Sequence, residues 1–498
     1  MTTEYLTLSR RLSESLARHA GSGRTAFSST DAEVTYADLR DTIAGAQSRF
    51  SCLRLNRGDR VGLVVDKTAE SIAAFIGLIL MGACPAFIDP RSSTSLLREQ
   101  CEIVGLKSLV CEPERYDELA AVSDMVVSTG ELGAQQSIEL IVADVVASDK
   151  ALLLFTSGST GRPKGAVLSH SAVATHAASL IERTSLSDHD VLLHLMPIFH
   201  TNGVNNQIIA PLIAGARVVL EEKFRPKLAV EALRRTEPTI VTGVPTMFLR
   251  MLPYVQPNDE FENLRMIRCG SAPIKTEQVK DIEAAFGVPV VLSYGMSEAT
   301  CTSTMNPPER RKAGSVGTVL AGQTIRIAKP GSLDPVAEGR DGEVLIGGDT
   351  LMAEYLGADG ADPIENGWLH TGDLGRIDAD GYLMISGRLK DTIVRGGENI
   401  SPATIEQALV SHPSVTDVCV LGREHHDLGE VPVAYVSVSG QASTTIIADL
   451  KNWAESALSR PFVPEDIHIL DELPVTPVGK IDRKSLANLD RLRTAVEN

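Results

Sequence analysis

Residues 152–164 read LLLFTSGSTGRPK, an apolar run that leads directly into glycines and hydroxyl side chains. Glycines let a backbone adopt positive φ and approach a ligand closely. Successive N–H groups in such a turn form an anion-binding nest, and the hydroxyls add donors for phosphate oxygens. Lys164 adds a positive charge at the end of the stretch. The pattern therefore predicts a strand followed by a loop that holds a polyphosphate.

This loop differs from the Walker A loop of phosphoryl-transfer NTPases. A Walker A loop needs GxxxxGK followed by Ser or Thr at the start of a helix. Here Pro163 precedes Lys164, and Gly165 rather than a hydroxyl residue follows it. The sequence disfavours that enzyme class. Taken alone, a flexible Gly/Ser surface loop stays open as the alternative.

Composition limits the possible partners of the chain. Its 498 residues exceed the roughly 250–300 at which a single core stops growing, so we expect at least two domains. The formal net charge of −17 disfavours nucleic acid and anionic membrane surfaces as partners. Seven cysteines form no CxxC pair, so neither a zinc site nor a disulfide framework is expected, and the cytoplasm is the expected location.

Apolar β-rich runs alternate with helical windows over the first 300 residues, which predicts parallel sheets covered by helices on both faces. The uncharged segment 71–88 is interpreted as a buried helix over 69–81 and a strand over 86–88, because Pro85 ends a helix. From about Gly314 the pattern favours antiparallel strands, and past Arg388 it favours a small separate unit. The N-terminal twenty residues resemble a surface helix.

Taken with the motifs downstream, residues 156–165, TSGSTGRPKG, resemble the phosphate-binding motif of the adenylate-forming superfamily of acyl-CoA synthetases, peptide adenylation domains and luciferases. The motifs extend from about residue 38 to 484. The resemblance implies an α/β fold with a large N-terminal domain over 1–387, including a β-barrel-like subdomain. It also implies a hinge over 388–391 and a small mobile α+β C-terminal domain over 392–498.

The resemblance implies a two-step reaction with ATP, Mg²⁺ and coenzyme A. A carboxylic acid becomes an acyl-adenylate, pyrophosphate leaves, and the acyl group passes to coenzyme A. A stand-alone enzyme that loads a carrier protein stays open as the alternative, since it shares every ATP motif. A non-catalytic nucleotide-binding protein is disfavoured, because Lys164, Glu298 and Lys480 are all retained. The chain is expected to be a monomer or homodimer.

The resemblance also assigns candidate residues to the nucleotide. In residues 294–298, YGMSE, the tyrosine is expected to stack on adenine, Ser297 to meet the α-phosphate and Glu298 to bind Mg²⁺. Asp373 and Arg388 are expected at the ribose, Lys390 at the hinge, and Lys480 at the carboxylate and α-phosphate during adenylation. The remaining candidates for the nucleotide are Thr156, Ser157, Gly158, Ser159, Thr160, Gly161, Lys164, Ser271, Ala272, Tyr294 and Gly295.

A second motif, residues 197–203, PIFHTNG, resembles the family's aromatic–His motif, which lies beside the acyl channel. His200 is expected to shape that channel and to gate thiol entry rather than act as a general base. In the amino-acid activators that the chain resembles, an Asp after this motif holds the substrate ammonium. The run 199–208 contains amides and no acid, so the resemblance disfavours a free α-amine on the substrate, and the amides suggest an oxygenated or aromatic acid. The predicted pocket residues are Asn205, Thr242, Gly243, Val244 and Gly270.

Changing Lys480 to alanine separates the two half-reactions. We expect Lys480→Ala to abolish acyl-AMP formation while sparing thiolysis of preformed adenylate, since the lysine is needed only where two anions meet. Acid-dependent ATP–pyrophosphate exchange measures the first step, and thioester formation from synthetic acyl-AMP measures the second. Equal loss in both steps would refute a role confined to adenylation.

Overall fold

The computed structural model describes residues 7–30, 32–123, 125–131, 139–157, 163–357, 362–396, 398–439, 444–476 and 481–497. Five predicted site residues, Gly158, Ser159, Thr160, Gly161 and Lys480, lie outside these ranges. The described α-helices are Leu8–Ala20, Tyr36–Phe50, Ala69–Leu80, Thr94–Val104, Tyr116–Ala120, His170–Thr184, Ala210–Ala214, Pro226–Thr236, Pro245–Met251, Thr276–Phe286, Pro402–Val410, Thr444–Ala457 and Arg483–Glu497.

The largest sheet has nine described strands, of which the six central ones run parallel. In spatial order they are Thr318–Val319, Thr304–Met305, Val290–Tyr294, Met266–Gly270, Ile240–Gly243, Val191–His194, Arg217–Leu220, Thr25–Ser28 and Glu33–Thr35. The central strands are nearly continuous apolar runs, because a parallel sheet is covered on both faces. The predicted parallel arrangement is confirmed for this part of the chain.

A second sheet has seven described strands and carries the glycine–hydroxyl loop. In spatial order they are Glu354–Leu356, Pro163–Ser169, Lys150–Ser157, Cys84–Phe87, Arg60–Val64, Ser108–Cys111 and Val126–Ser128. The last five are parallel to one another, and the first two pair antiparallel at the edge. The loop therefore joins two antiparallel strands rather than a strand and a helix.

Two antiparallel sheets make up most of the remaining β-structure. The first contains Gln323–Ala328, Gly342–Gly348, Trp368–Ile377 and Ile364–Glu365, with Leu383–Arg388 paired to Trp368–Ile377. The second contains Glu398–Ile400, Ile393–Arg395, Gly429–Val438 and Val415–His425, with Asp466–Ile469 added in parallel to Gly429–Val438. The predicted fold class, including an antiparallel part after the parallel sheets and a small C-terminal α+β part, is confirmed.

Contacts divide the chain into two compact units. One comprises Met1–Ile325 and Ile346–Leu369, and the other comprises Arg326–Leu345 and His370–Asn498. The C-terminal part has its own apolar core of side chains from Ile393 to Ile467. The boundary at residue 387 and the hinge over 388–391 stay predictions.

Local sequence explains where the helices begin. Helix Tyr36–Phe50 starts with a capping box, in which the Asp38 N–H donates to Thr35 Oγ1 at 3.1 Å and the Thr35 N–H donates to Asp38 Oδ2 at 3.0 Å. Helix Ala69–Leu80 is capped by Thr68, and every residue from Ser71 onward is buried. The interpretation of segment 71–88 as buried is thus confirmed, and no helix among the described residues is long and apolar enough to cross a membrane.

The N-terminal helix is more deeply packed than a surface helix. Leu8, Leu12 and Leu16 lie on one face of Leu8–Ala20 and are at most 2% exposed. Burial of each leucine stabilises the fold by about 1.5–3 kcal/mol. The first described helix therefore belongs to the main core.

Candidate active site

The strands that flank the glycine–hydroxyl loop bring a hydroxyl and an ammonium side by side. Thr156 pairs directly with Lys164 across the antiparallel strands Lys150–Ser157 and Pro163–Ser169. Directly paired residues have side chains about 4.5–5.5 Å apart on one face of the sheet. Both predicted residues therefore lie at the mouth of the loop, whose residues 158–162 lie outside the described ranges.

Tyr355 connects this loop to the predicted magnesium ligand. Its strand, Glu354–Leu356, pairs with Pro163–Ser169 at the sheet edge. Its hydroxyl lies 2.9 Å from Thr156 Oγ1 and donates to Glu298 Oε1 at 3.0 Å, and Lys164 Nζ lies 5.4 Å from its ring centroid. One phenol therefore joins two motifs that are far apart in the sequence.

The charge state of Tyr355 fixes the direction of these hydrogen bonds. Burial, and then the negative charge of Glu298, raise the pKa of the Tyr355 phenol to about 12, against the opposing hydrogen bond from Thr156. The phenol is therefore protonated at neutral pH. Because its single proton goes to Glu298, the Thr156 hydroxyl must donate to the phenol oxygen.

Tyr355 is a site residue that the sequence analysis missed. It stands 199 positions from Thr156 and 57 from Glu298, in a three-residue strand. A tyrosine in so short a strand gives no periodic signal that separates it from other half-buried tyrosines. Only the antiparallel edge pairing places it beside the loop.

Glu298 lies on a short 3₁₀ helix, Ser297–Ala299, at the end of strand Val290–Tyr294. Gly295 lies between the strand and this helix, where only glycine fits, because a Cβ there would lie 1.9 Å from the Cys301 carbonyl oxygen. The need for glycine at this position thus comes from the chain's own backbone.

The residue that ends this helix has an unusual backbone. Thr300 has φ 70° and ψ −53°, and the Cys301 N–H donates to the Ala299 carbonyl at 2.9 Å. This is a γ-turn with positive φ, which is rare and strained for a threonine. Such a conformation costs about 1–3 kcal/mol and persists only where surrounding contacts hold it.

Several side chains hold the turn. The Thr300 carbonyl accepts hydrogen bonds from Asn205 Nδ2, at 2.9 Å, and from the Thr201 hydroxyl. Thr300 Oγ1 donates to the Thr350 carbonyl at 2.7 Å, and the Met352 N–H donates to the Glu298 carbonyl at 2.8 Å. The predicted pocket residue Asn205 thus has a second task, which is to fix the backbone that carries Glu298.

Asn205 belongs to a π-helix, Asn202–Ile209, which follows the half-buried His200. The His200 ring lies 4.8 Å from that of Phe199. π-Helices are rare and are frequently found at functional sites. The aromatic–His motif therefore precedes a buried helix whose Asn205 amide holds the turn next to Glu298.

The other predicted pocket residues lie at or just beyond the carboxyl ends of two adjacent parallel strands, Ile240–Gly243 and Met266–Gly270. Thr242 and Gly243 end the first strand and Val244 follows it, while Gly270 ends the second. A Cβ on Gly270 would lie 2.9 Å from the Ser293 carbonyl oxygen, so the two backbones approach closely there. Ligands of open α/β sheets bind at this edge of the sheet.

Beyond Gly270 the chain turns sharply into Ser271 and Ala272. Ser271 is exposed and has φ 68°, a left-handed conformation that only few non-glycine residues adopt. Such strain is most often found at ligand-binding positions. The turn therefore fits the predicted contact of both residues with the nucleotide.

In the second unit, the two predicted ribose residues are directly paired. Asp373 and Arg388 face each other across strands Trp368–Ile377 and Leu383–Arg388, with Arg388 Nε 2.8 Å from Asp373 Oδ1. The Asp373 side chain is 4% exposed, whereas that of Arg388 is 51% exposed. The structure thus brings the two residues together, and the guanidinium holds the carboxylate in place.

Lys390 is exposed on the short 3₁₀ helix Leu389–Asp391. Lys480 lies outside the described residues, but its neighbour Ile481 forms a bridge with Val475, and the Asp482 N–H donates to the Pro474 carbonyl at 2.8 Å. The described residues on either side of Lys480 are therefore paired with each other.

Comparison with known proteins agrees with these motifs. The family model described as "AMP-binding enzyme" matches residues 13–356, and that described as "AMP-binding enzyme C-terminal domain" matches residues 404–480. Indoleacetate–CoA ligase of Aromatoleum aromaticum is 31% identical over 98% of this chain and 99% of its own length. 2-Succinylbenzoate–CoA ligase of Bacillus cytotoxicus is 30% identical over 94% of this chain and 96% of its own length.

Solved structures show the same fold. ATP-bound MatB from Rhodopseudomonas palustris superposes with a TM-score of 0.89 at 27% identity, covering 96% of this chain and 98% of the other. o-Succinylbenzoate CoA synthetase from Bacillus subtilis, in complex with its acyl-adenylate, gives 0.85 at 27% identity, covering 96% and 97%. On its motifs, its fold and these matches, the chain belongs to the family of AMP-binding enzymes and is an AMP-forming acyl-CoA ligase.

Proposed function

We propose that this ligase joins a carboxylic acid to coenzyme A through an acyl-adenylate, using the residues described above. A carboxylate oxygen of the acid attacks the α-phosphorus of ATP, the bond to the pyrophosphate oxygen breaks, and acyl-AMP and pyrophosphate form. The thiol of coenzyme A then attacks the acyl carbon and gives up its proton, and AMP leaves with the oxygen of the broken acyl–oxygen bond.

The observation that supports this proposal is the hydrogen-bonded link from Thr156 through Tyr355 to Glu298. It places a hydroxyl, an ammonium and a carboxylate around one phenol at the mouth of a glycine-rich loop. Phosphoryl chemistry depends on positioning and charge stabilisation, so fixed donors and cations supply the catalysis. Among the described residues, Lys164 supplies a positive charge at this loop.

Glu298 fits the role of magnesium ligand. Its Oε1 is held by Tyr355, while Oε2 takes no hydrogen bond from a described residue. A carboxylate oxygen in this state suits Mg²⁺, which prefers oxygen ligands and phosphates. When bound, the ion would offset the negative charge of the phosphates, and Tyr355 would keep the carboxylate pointed towards them.

Asp373 and Arg388 would hold the ribose, with the carboxylate accepting hydrogen bonds from the vicinal hydroxyls. A carboxylate fixed by a guanidinium binds with less loss of side-chain entropy. By resemblance, residues 158–161 would hold the phosphates and Lys480 would act in adenylation. The C-terminal domain, residues 392–498, would turn about Lys390 between the two steps, since hinges place large backbone changes on few residues.

The acid is proposed to be larger than acetate. The relatives above are named for indoleacetate and 2-succinylbenzoate, and further relatives for ferulate and 4-coumarate. The predicted pocket at the ends of strands Ile240–Gly243 and Met266–Gly270 would take the acyl group, and His200 would line the entry of the thiol.

Changing Tyr355 to phenylalanine tests the central link. We expect Tyr355→Phe to lower kcat/KM for ATP by about 10–100-fold and to raise the Mg²⁺ requirement, because a hydrogen bond to a charged group contributes about 1.5–3 kcal/mol. Pyrophosphate exchange at varied Mg²⁺ measures both effects. The same change at the exposed Tyr116 serves as control, and identical kinetics for the two variants would contradict the proposed role.

Changing Asp373 to alanine tests the ribose contact. We expect Asp373→Ala to weaken ATP binding at least tenfold and to leave the KM for the acid nearly unchanged, since only the nucleotide loses a partner. Asp380→Ala, at an exposed position in the turn that follows the same strand, is the matched control. An unchanged ATP affinity in Asp373→Ala would remove the residue from the nucleotide site.

An acid panel tests the overall reaction. AMP and pyrophosphate release should require both an acid and coenzyme A, and a thioester should appear in equal amount. If an acid drives ATP–pyrophosphate exchange while coenzyme A is ignored, the acceptor is a carrier protein or another nucleophile. If no acid drives exchange, the proposal fails at its first step.

A further inference from the structure

Arg268 is a fully buried cation in the middle of the largest sheet. It lies on strand Met266–Gly270 and is 1% exposed, and its side chain is among the largest that are fully buried in the described residues. Arginine is almost never fully buried unless it is paired. Its surroundings must therefore account for its charge.

Among the described residues, the hydrogen bonds of Arg268 are all with neutral groups. Its Nε donates to Thr242 Oγ1 at 2.8 Å and its Nη2 donates to the Asn206 carbonyl at 3.0 Å, while the buried Nη1 has no hydrogen-bond partner among the described residues. The acid Asp190 is already held by Arg265 Nε at 2.8 Å. The guanidinium thus has two satisfied nitrogens and one open one.

Arg268 remains charged in this environment. Burial lowers its pKa to about 10, which still leaves the guanidinium protonated at neutral pH. A buried charge without a counter-ion costs free energy, and an apolar side chain of similar volume is often more stabilising at such a position. Packing alone therefore gives no reason for an arginine here.

The hydrogen bonds of Arg268 connect it to the predicted acyl-pocket residues. Arg268 binds the pocket residue Thr242 directly, and it shares one face of its strand with Gly270, two residues on. The Asn206 that it contacts neighbours Asn205, which holds the turn of Glu298. The guanidinium is thus connected to the predicted acyl pocket through Thr242 and Asn206.

We propose that Arg268 determines the specificity of the acyl pocket, and that the acid of this ligase carries a second carboxylate that pairs with Nη1; this rests on the proposed function. A charge-assisted hydrogen bond between guanidinium and carboxylate is shorter and stronger than one between neutral groups. The reacting carboxylate goes to the α-phosphate, so the recognised carboxylate lies at the distal end of the acid.

The same geometry excludes acids that lack the second carboxylate. A site built to bind a polar group rejects an analogue without it, because the buried partner is then left unpaired. A methyl group at the same place would leave the guanidinium buried and still without a counter-ion. The alternative occupant is a water molecule that accepts from Nη1 and leaves selectivity to other residues.

The test uses pairs of acids on the full-length enzyme. In each pair, one acid ends in a carboxylate and the other in a methyl group on the same straight-chain or aromatic skeleton. For wild type we expect kcat/KM in pyrophosphate exchange to favour the diacid of the best pair by about 100-fold or more. Arg268→Met should lose most of this preference by losing the diacid, and Arg268→Lys should retain part of it.

Arg265→Met is the matched control, because it removes an arginine of the same segment whose partner is a protein carboxylate. It should lower thermal stability and keep the preference for the diacid. Wild type that uses methyl-ended acids as well as diacids overturns the inference while adenylation stands, and this result needs no folded variant. If no acid drives exchange, the proposed function fails and the inference with it.

Discussion

The hydrogen bond from Tyr355 to Glu298 is the contact on which the arrangement of Thr156, Lys164 and Glu298 depends. It ties an edge strand of one sheet to the end of a strand in another, within a single unit of the chain. Because burial and the glutamate charge keep the phenol protonated, the contact orients the carboxylate through a neutral donor and leaves its charge available to a cation. The γ-turn at Thr300 fixes the same glutamate from the backbone side.

The sequence predicted the elements that follow from short-range patterns of residues. Apolar runs predicted the parallel strands, and the uncharged run with Pro85 predicted a buried helix followed by a buried strand at 71–88. The loop at 156–164 was predicted from its glycines and hydroxyls, and the pair Asp373 and Arg388 from the resemblance of their motifs to a known family. Those two residues indeed pair across adjacent strands.

The features that could not be predicted depend on contacts between distant segments. Tyr355 reaches Thr156 and Glu298 only because its edge strand pairs with Pro163–Ser169, and a three-residue strand leaves no periodic pattern in the sequence. Arg268 occupies a position where the apolar pattern of strand Met266–Gly270 predicts a hydrophobic residue. A single charged residue in such a pattern gives no sign that it is buried. The strained backbone of Thr300 is held by hydrogen bonds with Asn205 and Thr350, which are remote in sequence.

The π-helix Asn202–Ile209 has a consequence for how this chain can change over evolution. A π-helix contains about one residue more than the α-helix that would replace it, and the Ala210 N–H bonds back to Asn205 rather than to Asn206. Loss of a single residue here would convert the segment to regular α-helix and rotate the chain before it by about 100° relative to the chain after it. A one-residue deletion is usually tolerated in a surface loop, but in this buried helix it would swing the Asn205 amide away from the turn that carries Glu298. Length, as well as residue type, is therefore constrained between His200 and Ala210.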